Sequence, residues 1–382
     1  MLRNVLPKCV YITNTARGSY HATRLAVHPK VGACWRPLFS SRPVAAPTHL
    51  IVVGTSAGGM PALLQLVAQL PATLPAAVLV VQHLAPDADS EGLVVRLAAH
   101  TALRCQVAGH GAPLLAGHLY LAPPDRHLLV KQDRVLVTKG PFENGYRPSA
   151  DTLFRAAAVA FDSHVVGVVL TGMLHDGTAG LEFVKRCGGV AMVQDPAEAE
   201  FPSMPESALR NVAVDHVLPV AAMGAVLVGL VGPTHPGGPA NPLDVPADLQ
   251  LEAAIAERVV GSAEQVEQLG SLVPFTCPDC GGNLWEVNHG EVLRFRCHTG
   301  HAYTAASMLE GSQRKMEETL WVALRMMEER KNLLASLAAR GDAAHGTARH
   351  TERLADLKGH VNRMREFLLD EYEGEAQDAA VD

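Results

Sequence analysis

The sequence predicts a doubly wound α/β domain with a mostly parallel sheet and an antiparallel margin, followed by a small cysteine-bearing module and a helical hairpin. Three observations predict it. From His49 onward, apolar runs of strand length alternate with amphipathic stretches of helix length, the pattern of parallel strands covered by helices on both faces. Three of the seven cysteines, Cys277, Cys280 and Cys297, fall within 21 residues, in a Cys-x-x-Cys arrangement with one more downstream. Near the end of the chain Leu320, Leu324, Met327, Leu334 and Leu337 recur at helical spacing, and after Gly341-Asp342 the series Leu354, Leu357, Val361, Met364 and Leu368 repeats the rhythm.

Composition narrows the function classes. A chain of 382 residues with 48% hydrophobic and 19% charged residues is ordinary globular sequence, long enough for two or three units. No uncharged apolar run reaches the roughly 18 residues of a spanning helix, Val217 to Val231 being the nearest, so no membrane insertion is expected. A net charge of −7 without a basic stripe argues against nucleic acid as partner. An odd number of cysteines clustered as metal ligands fits a reducing compartment, and a cytoplasmic location is expected.

Residues 1–47 hold seven Lys or Arg and no Asp or Glu, and show no hydrophobic periodicity. They read as an unstructured basic extension rather than a transit peptide. The α/β domain then runs over 48–231. Leu50-Ile51-Val52-Val53 is a first strand, a Gly-rich turn follows, and Pro61 to Leu70 is a helix. Ala77 to Gln82 is a second buried strand, Glu91 to His100 a helix and Arg104 to Ala108 a third strand. Three extended pieces between His118 and Thr138, split at Pro123-Pro124-Asp125 and Gln132-Asp133, read as the antiparallel excursion. Asp151 to Phe161 is a helix, Val165 to Leu170 a strand, then come a Gly-rich turn, a helix to Arg186 and the strand Gly189 to Val193. Residues 232–247, with five prolines and three glycines, read as a linker. A short helix near 247–260 and the cysteine module complete 248–303, and 304–382 is the hairpin with an acidic tail.

In doubly wound sheets function lies beyond the C-terminal ends of the strands. Gly54-Thr55-Ser56-Ala57-Gly58-Gly59 puts a hydroxyl at a helix N-terminus, where free N–H groups can stabilise an oxyanion. The same small residues would also suit tight packing or phosphate binding. A dinucleotide site would require an acidic residue after the second strand, which instead ends in Gln82-His83. His83 shares the sheet edge with Ser56, so an imidazole stands where a hydroxyl proton could be accepted. The loop Leu170-Thr171-Gly172-Met173-Leu174-His175-Asp176-Gly177 adds a carboxylate there; Asp176 could equally cap the helix beginning near Thr178. Convergence of Ser, His and Asp on one edge favours catalysis, and the order Ser56, His83, Asp176 differs from the Ser, Asp, His order of α/β-hydrolases.

These residues, with Val81-Gln82-His83-Leu84-Ala85-Pro86, Tyr146-Arg147-Pro148-Ser149 and Met204-Pro205, resemble the catalytic domain of the chemotaxis protein-glutamate methylesterases (CheB) over about 48–231. The resemblance implies Ser56 as nucleophile, His83 as general base and acid, Asp176 orienting the imidazole and Met173 beside the site. It further implies hydrolysis of glutamyl methyl esters on methyl-accepting receptors. Ala57 stands where many members carry Thr, leaving only its backbone N–H for the oxyanion. The family's usual receiver domain does not fit in 47 residues without Asp. Arg147 is read either as a holder of a substrate carboxylate or as a packing residue, and His127 as structural. His175 adjoins Asp176, close enough in sequence for an imidazole to influence its titration, with no geometry to say whether it does.

Cys277, Cys280, Cys297 and His301 form a Cys3His set with spacing suited to structural Zn²⁺, with no open position for catalysis. His298 competes as fourth ligand; His301 is preferred because adjacent residues in an extended segment point to opposite sides. The expected function is therefore receptor methylester hydrolysis, with glutamine deamidation by the same acyl chemistry, and a signalling partner docked on the hairpin. The rival is a non-catalytic binding protein on an esterase scaffold.

Overall fold

The structure, a computed structural model, describes residues 45–232, 245–258, 262–287, 289–339 and 347–378. The basic extension up to residue 44, residues 233–244 of the expected linker and the Gly341-Asp342 turn lie outside the described residues.

The main sheet has seven parallel strands: β1 (His49–Thr55), β2 (Ala76–Gln82), β3 (Arg104–Val107), β4 (His118–Leu121), then β7 (Val165–Val169), β8 (Val190–Gln194) and β9 (His216–Leu218), in the order β3-β4-β2-β1-β7-β8-β9. Alternation along β1 splits the core in two. Leu50 and Val52 enter a cluster with α3 (Ala150–Phe161), α4 (Thr178–Arg186) and α5 (Ser203–Asn211). Ile51 and Val53 enter one with α1 (Gly59–Val67), α2 (Ser90–Ala98) and α6 (Val220–Leu230). Both faces of β1 and β2 are buried, which explains their unbroken apolar runs.

One placement differs from the sequence expectation. Of the three pieces between His118 and Thr138, the first is β4, which joins the main sheet in parallel between β3 and β2. Only β5 (His127–Lys131) and β6 (Arg134–Thr138) pair antiparallel, as a separate two-stranded sheet. All four residues of β4 are buried, as an interior strand requires, whereas β6 keeps an exposed edge residue.

The C-terminal region does not stand apart from the α/β domain. Leu249 of α7 (Ala247–Arg258) and Val292 belong to the main core. After α8 (Ala263–Glu267), strands β10 (Gly270–Thr276), β11 (Asn283–Val287), β12 (Arg294–Cys297) and β13 (Ala302–Thr304) form an antiparallel ribbon. Helices α9 (Ala305–Ala339) and α10 (Thr347–Asp378) pair through Leu320, Leu324 and Met327 against Val361, Met364 and Leu368. Leu337, expected on this seam, is exposed.

A buried ionic network joins the ribbon to the domain. Glu252 on α7 accepts from Arg294 at 2.8 Å and lies 3.4 Å from Arg296, and Glu143 accepts from Arg155 of α3 at 2.5 Å and from Arg296 at 3.3 Å. Burial works against the charge of each carboxylate, and the surrounding guanidinium groups hold both below the usual range all the same. Removing one partner strands the others, so Glu252→Ala should cost about 3–5 kcal/mol in denaturant unfolding. A loss below about 1 kcal/mol, the scale of a surface ion pair, would show that the network is solvated.

Candidate active site

Ser56 follows β1 and precedes α1, in a turn closed by Gly58 at φ 66. The loops around it are laced together. Ser56 N donates to Thr171 O at 3.1 Å, the Thr55 hydroxyl donates to the same carbonyl at 3.1 Å, and the Thr171 hydroxyl lies 3.1 Å from Ala57 O. Gln82 Nε2 donates to Ser56 O at 2.8 Å, and Gln194 Oε1 accepts from Thr171 N at 2.8 Å. A Cβ at Gly172 would collide with Ser56 Cβ and the Met204 sulfur, so only glycine lets the two loops approach this closely.

The three predicted residues meet. Ser56 Oγ is 3.2 Å from His83 Nδ1, and His83 Nε2 is 2.8 Å from Asp176 Oδ2. Asp176 is fully buried. It does not cap α4, whose N-cap is Gly177. Instead it caps α3, accepting from Ala150 N at 2.5 Å and Asp151 N at 3.3 Å, and it accepts from Ser149 Oγ at 2.7 Å and Asn144 Nδ2 at 3.3 Å. Asp151 returns the service, accepting from Gly177 N at 2.9 Å and Gly180 N at 2.6 Å at the start of α4. Burial opposes the charge of Asp176, but the His83 imidazole, the Ala150 amide and the Ser149 hydroxyl hold its carboxyl below the usual range. Burial and the neighbouring Asp176 charge push the Asp151 carboxyl up to about 8.

Ala57 lies in the turn at the N-terminus of α1, and Met173 is half-exposed on the β7–α4 loop next to Gly172. The Arg147 guanidinium bonds Asp125 and Gly140 O at 2.9 Å and lies 4.1 Å from the Phe142 ring, the arrangement of the packing alternative among its two readings. His175 faces Glu310 of α9 at 3.4 Å. His127 is structural, its ring bonded to Pro141 O at 2.8 Å and Ser149 N at 3.3 Å.

Two contacts were not read from sequence. The Tyr146 ring stacks on His83, centroids 3.8 Å apart and 13° from coplanar, and Asn144 reaches Asp176. Tyr146 opens the Tyr146-Arg147-Pro148-Ser149 motif and Asn144 lies two residues before it, which was the available signal.

The second cluster is also assembled. The ligand atoms of Cys277, Cys280, Cys297 and His301 lie within 4.8 Å of one another. Cys280 and Cys297 sulfurs are 3.8 Å apart, and His301 Nδ1 is 3.5 Å from Cys297 and 3.7 Å from Cys277. Tetrahedral bonds of about 2.3 Å to sulfur give edges of about 3.8 Å, so the donor set fits a four-coordinate thiophilic ion. The His298 ring lies against Gly282 instead.

A serine, an imidazole and an oriented buried carboxylate at the C-terminal edge of a parallel sheet define the hydrolytic class that works through an acyl-serine. Within that class the CheB methylesterase family matches residues 51–227, and the chain belongs to that family. A Leptospira interrogans (serovar copenhageni) relative, whose name pairs protein-glutamate methylesterase with protein-glutamine glutaminase, is 35% identical over 181 residues, 47% of this chain and 93% of the relative. Protein-glutamate methylesterase/protein-glutamine glutaminase 2 of Koribacter versatilis is 36% identical over 197 residues, 50% of this chain and 53% of that protein. The chain thus spans about half the length of most of the relatives it matches. The crystal structure of the Thermotoga maritima CheB methylesterase catalytic domain is 32% identical and aligns with a TM-score of 0.46 over 48% of this chain and 98% of that one.

The Asp151–Asp176 pair sets a pH signature. A carboxyl whose folded-state pKa is raised contributes stability that is present at low pH and lost as pH rises through the folded value, here about 8. Melting temperatures of the wild type and Asp151→Asn should therefore diverge between pH 5 and 9, the wild type losing ground as pH rises. A difference that stays constant over that range contradicts the assignment.

Proposed function

We propose that the protein is a serine-dependent protein-glutamate methylesterase that acts on a methyl-accepting receptor or other methylated protein and releases methanol. The observation that supports this most directly is the Ser56–His83–Asp176 relay at 3.2 and 2.8 Å in a chain of the CheB methylesterase family. Ser56 Oγ attacks the glutamyl ester carbonyl while His83 Nδ1 takes its proton. Asp176 accepts from Nε2–H and steadies the imidazolium that forms. The negative oxygen turns to the Ala57 N–H at the start of α1, where the helix dipole adds to the donor. Collapse expels methanol with the proton from His83, and water activated by the same imidazole then releases the glutamate carboxylate and restores Ser56. A glutamine side chain would follow the same route with ammonia leaving. The rival reading, a non-catalytic docking protein, leaves the approach of Ser56 Oγ to His83 Nδ1 at 3.2 Å without a role.

Met173, exposed beside the nucleophile loop, would flank the incoming side chain. No helix among the described residues is long and apolar enough to cross a membrane, and we place the activity in the cytoplasm, where cysteine thiolates stay reduced. Trp321, Val322, Met326 and Leu333 are exposed on α9 and would serve a signalling partner docked on the hairpin.

For the Cys3His cluster we propose zinc in a structural role. Four protein donors leave no open coordination position, and the ribbon around them has only a small apolar cluster of its own.

Ser56→Ala should lower methanol release from a methylated receptor fragment by at least about 10³-fold while leaving the melting temperature near that of the wild type. Turnover near the wild-type rate in that folded variant would remove Ser56 as nucleophile. Elemental analysis should find one zinc per chain, lost in Cys277→Ser; purified protein devoid of metal would refute the zinc site.

A further inference from the structure

The ribbon lies outside the region that matches the CheB family, yet it reaches two members of the triad through one short turn. Glu143 and Tyr146 close this turn on each other, Glu143 N to Tyr146 O at 3.2 Å and Tyr146 N to Glu143 O at 2.9 Å. Strand β13 holds it from outside. Glu143 bridges to Ala302, and Asn144 N donates to Ala302 O at 2.8 Å. Ala302 directly follows His301 of the Cys3His cluster.

The side chain of Asn144 is used in full. Its Oδ1 accepts from Thr304 N at 2.9 Å and Ser307 Oγ at 2.8 Å, on the exit from the ribbon and the first turn of α9. Its Nδ2 donates to Asp151 at 2.7 Å and to Asp176 at 3.3 Å. An amide has two donors and two acceptor positions, and here one end belongs to the ribbon and the other to the triad carboxylate. Asn144 adopts φ 53, a conformation that Asn tolerates better than most residues. Two residues on, Tyr146 lays its ring on His83. The other flank is tied as well, since Arg296, next to Cys297, reaches both Glu143 at 3.3 Å and Gly300 O at 3.2 Å.

We propose that Asn144 and Tyr146 are positioning residues through which the ribbon holds Asp176 and His83, so that the esterase site is complete only while the Cys3His ribbon is folded around its metal. This rests on the serine-esterase and metal readings above. A ribbon of this size with a small apolar core depends on its ion for a fixed fold. When strand β13 loosens, the 143–146 turn loses its outer partners, and misplacement of a catalytic group by about 1 Å can cost about 10²-fold in rate.

The test uses the full chain and a readout independent of the natural substrate. A fluorophosphonate reacts with an activated serine: the Oγ–P bond forms, fluoride leaves, and the proton passes to His83. Intact-mass spectrometry follows the adduct, peptide mapping places it on Ser56, and hydrogen exchange reports on residues 143–146 in parallel. Chelator-stripped protein should label at least about tenfold more slowly than zinc-loaded protein and exchange faster over 143–146, and both changes should reverse when zinc is returned. Asn144→Gly keeps the backbone conformation open and removes the link, so it should label slowly with or without zinc. Ser307→Ala, away from the reacting atoms, should slow labelling several-fold with zinc content unchanged. The proposal is overturned if stripped, folded protein labels within about twofold of loaded protein, or if Asn144→Gly and Ser307→Ala both label at the wild-type rate in the loaded state. Absence of any Ser56 adduct in loaded wild type would instead overturn the esterase reading beneath it.

Discussion

Asp176 is a carboxylate with no access to water at the junction of the two helices α3 and α4. An ionised carboxylate in such a place is tolerated only when hydrogen-bond donors replace its lost hydration. Asp176 receives them from the Ala150 and Asp151 amides, the Ser149 hydroxyl, the Asn144 amide and the His83 ring. The first two are orphan donors of the α3 N-terminus, where the helix dipole also favours negative charge. Asp151, at the start of α3, accepts in turn from the amides that open α4. Each helix is thus capped by the side chain that the other brings, and the imidazole is oriented by backbone that cannot shift without uncapping a helix.

The same junction explains the need for small residues around the nucleophile. A Cβ at Gly54 would meet the Ala150 side chain, and one at Gly180 would meet Phe154 and Asp151. Close approach of β1, α3 and α4 puts the Ser56 turn and the Asp176 loop side by side, and the Thr55 and Thr171 hydroxyls fix the remaining gap. Catalytic geometry here follows from packing between elements more than from any loop acting alone.

Attachment of the ribbon follows a different physical rule. Glu143, Arg155, Glu252, Arg294 and Arg296 are almost fully buried, and the Nε atoms of all three arginines have no acceptor among the described residues. Such a network is a costly way to make an interface, and its value lies in geometric specificity, because bidentate and shared carboxylates accept few alternative arrangements. Exposed pairs on α9 such as Lys315 with Glu318 contribute little by comparison. The ribbon is therefore seated in one register on the domain, and its position relative to the 143–146 turn is defined.

Much of this was legible in the residues themselves. Strand-length apolar runs, the alternation with amphipathic helices, the Ser56 turn, His83 at a strand end, the Asp176 loop and the cysteine spacing are local patterns, and local patterns report backbone state and residue chemistry. The place of β4 inside the parallel sheet was not legible, because a short buried run reads alike in either pairing. Nor were the partner of His175, the stacking of Tyr146 on His83 or the double attachment of Asn144, all of which depend on neighbours remote in sequence. The sequence by itself determined which groups the chain owns and which sheet edge they occupy, since periodicity and residue type are properties of short segments. Only the tertiary structure decided that the ribbon reaches the triad through Asn144, because contact between residues some 160 positions apart, such as Asn144 and Thr304, arises from burial and hydrogen-bond satisfaction over the whole chain.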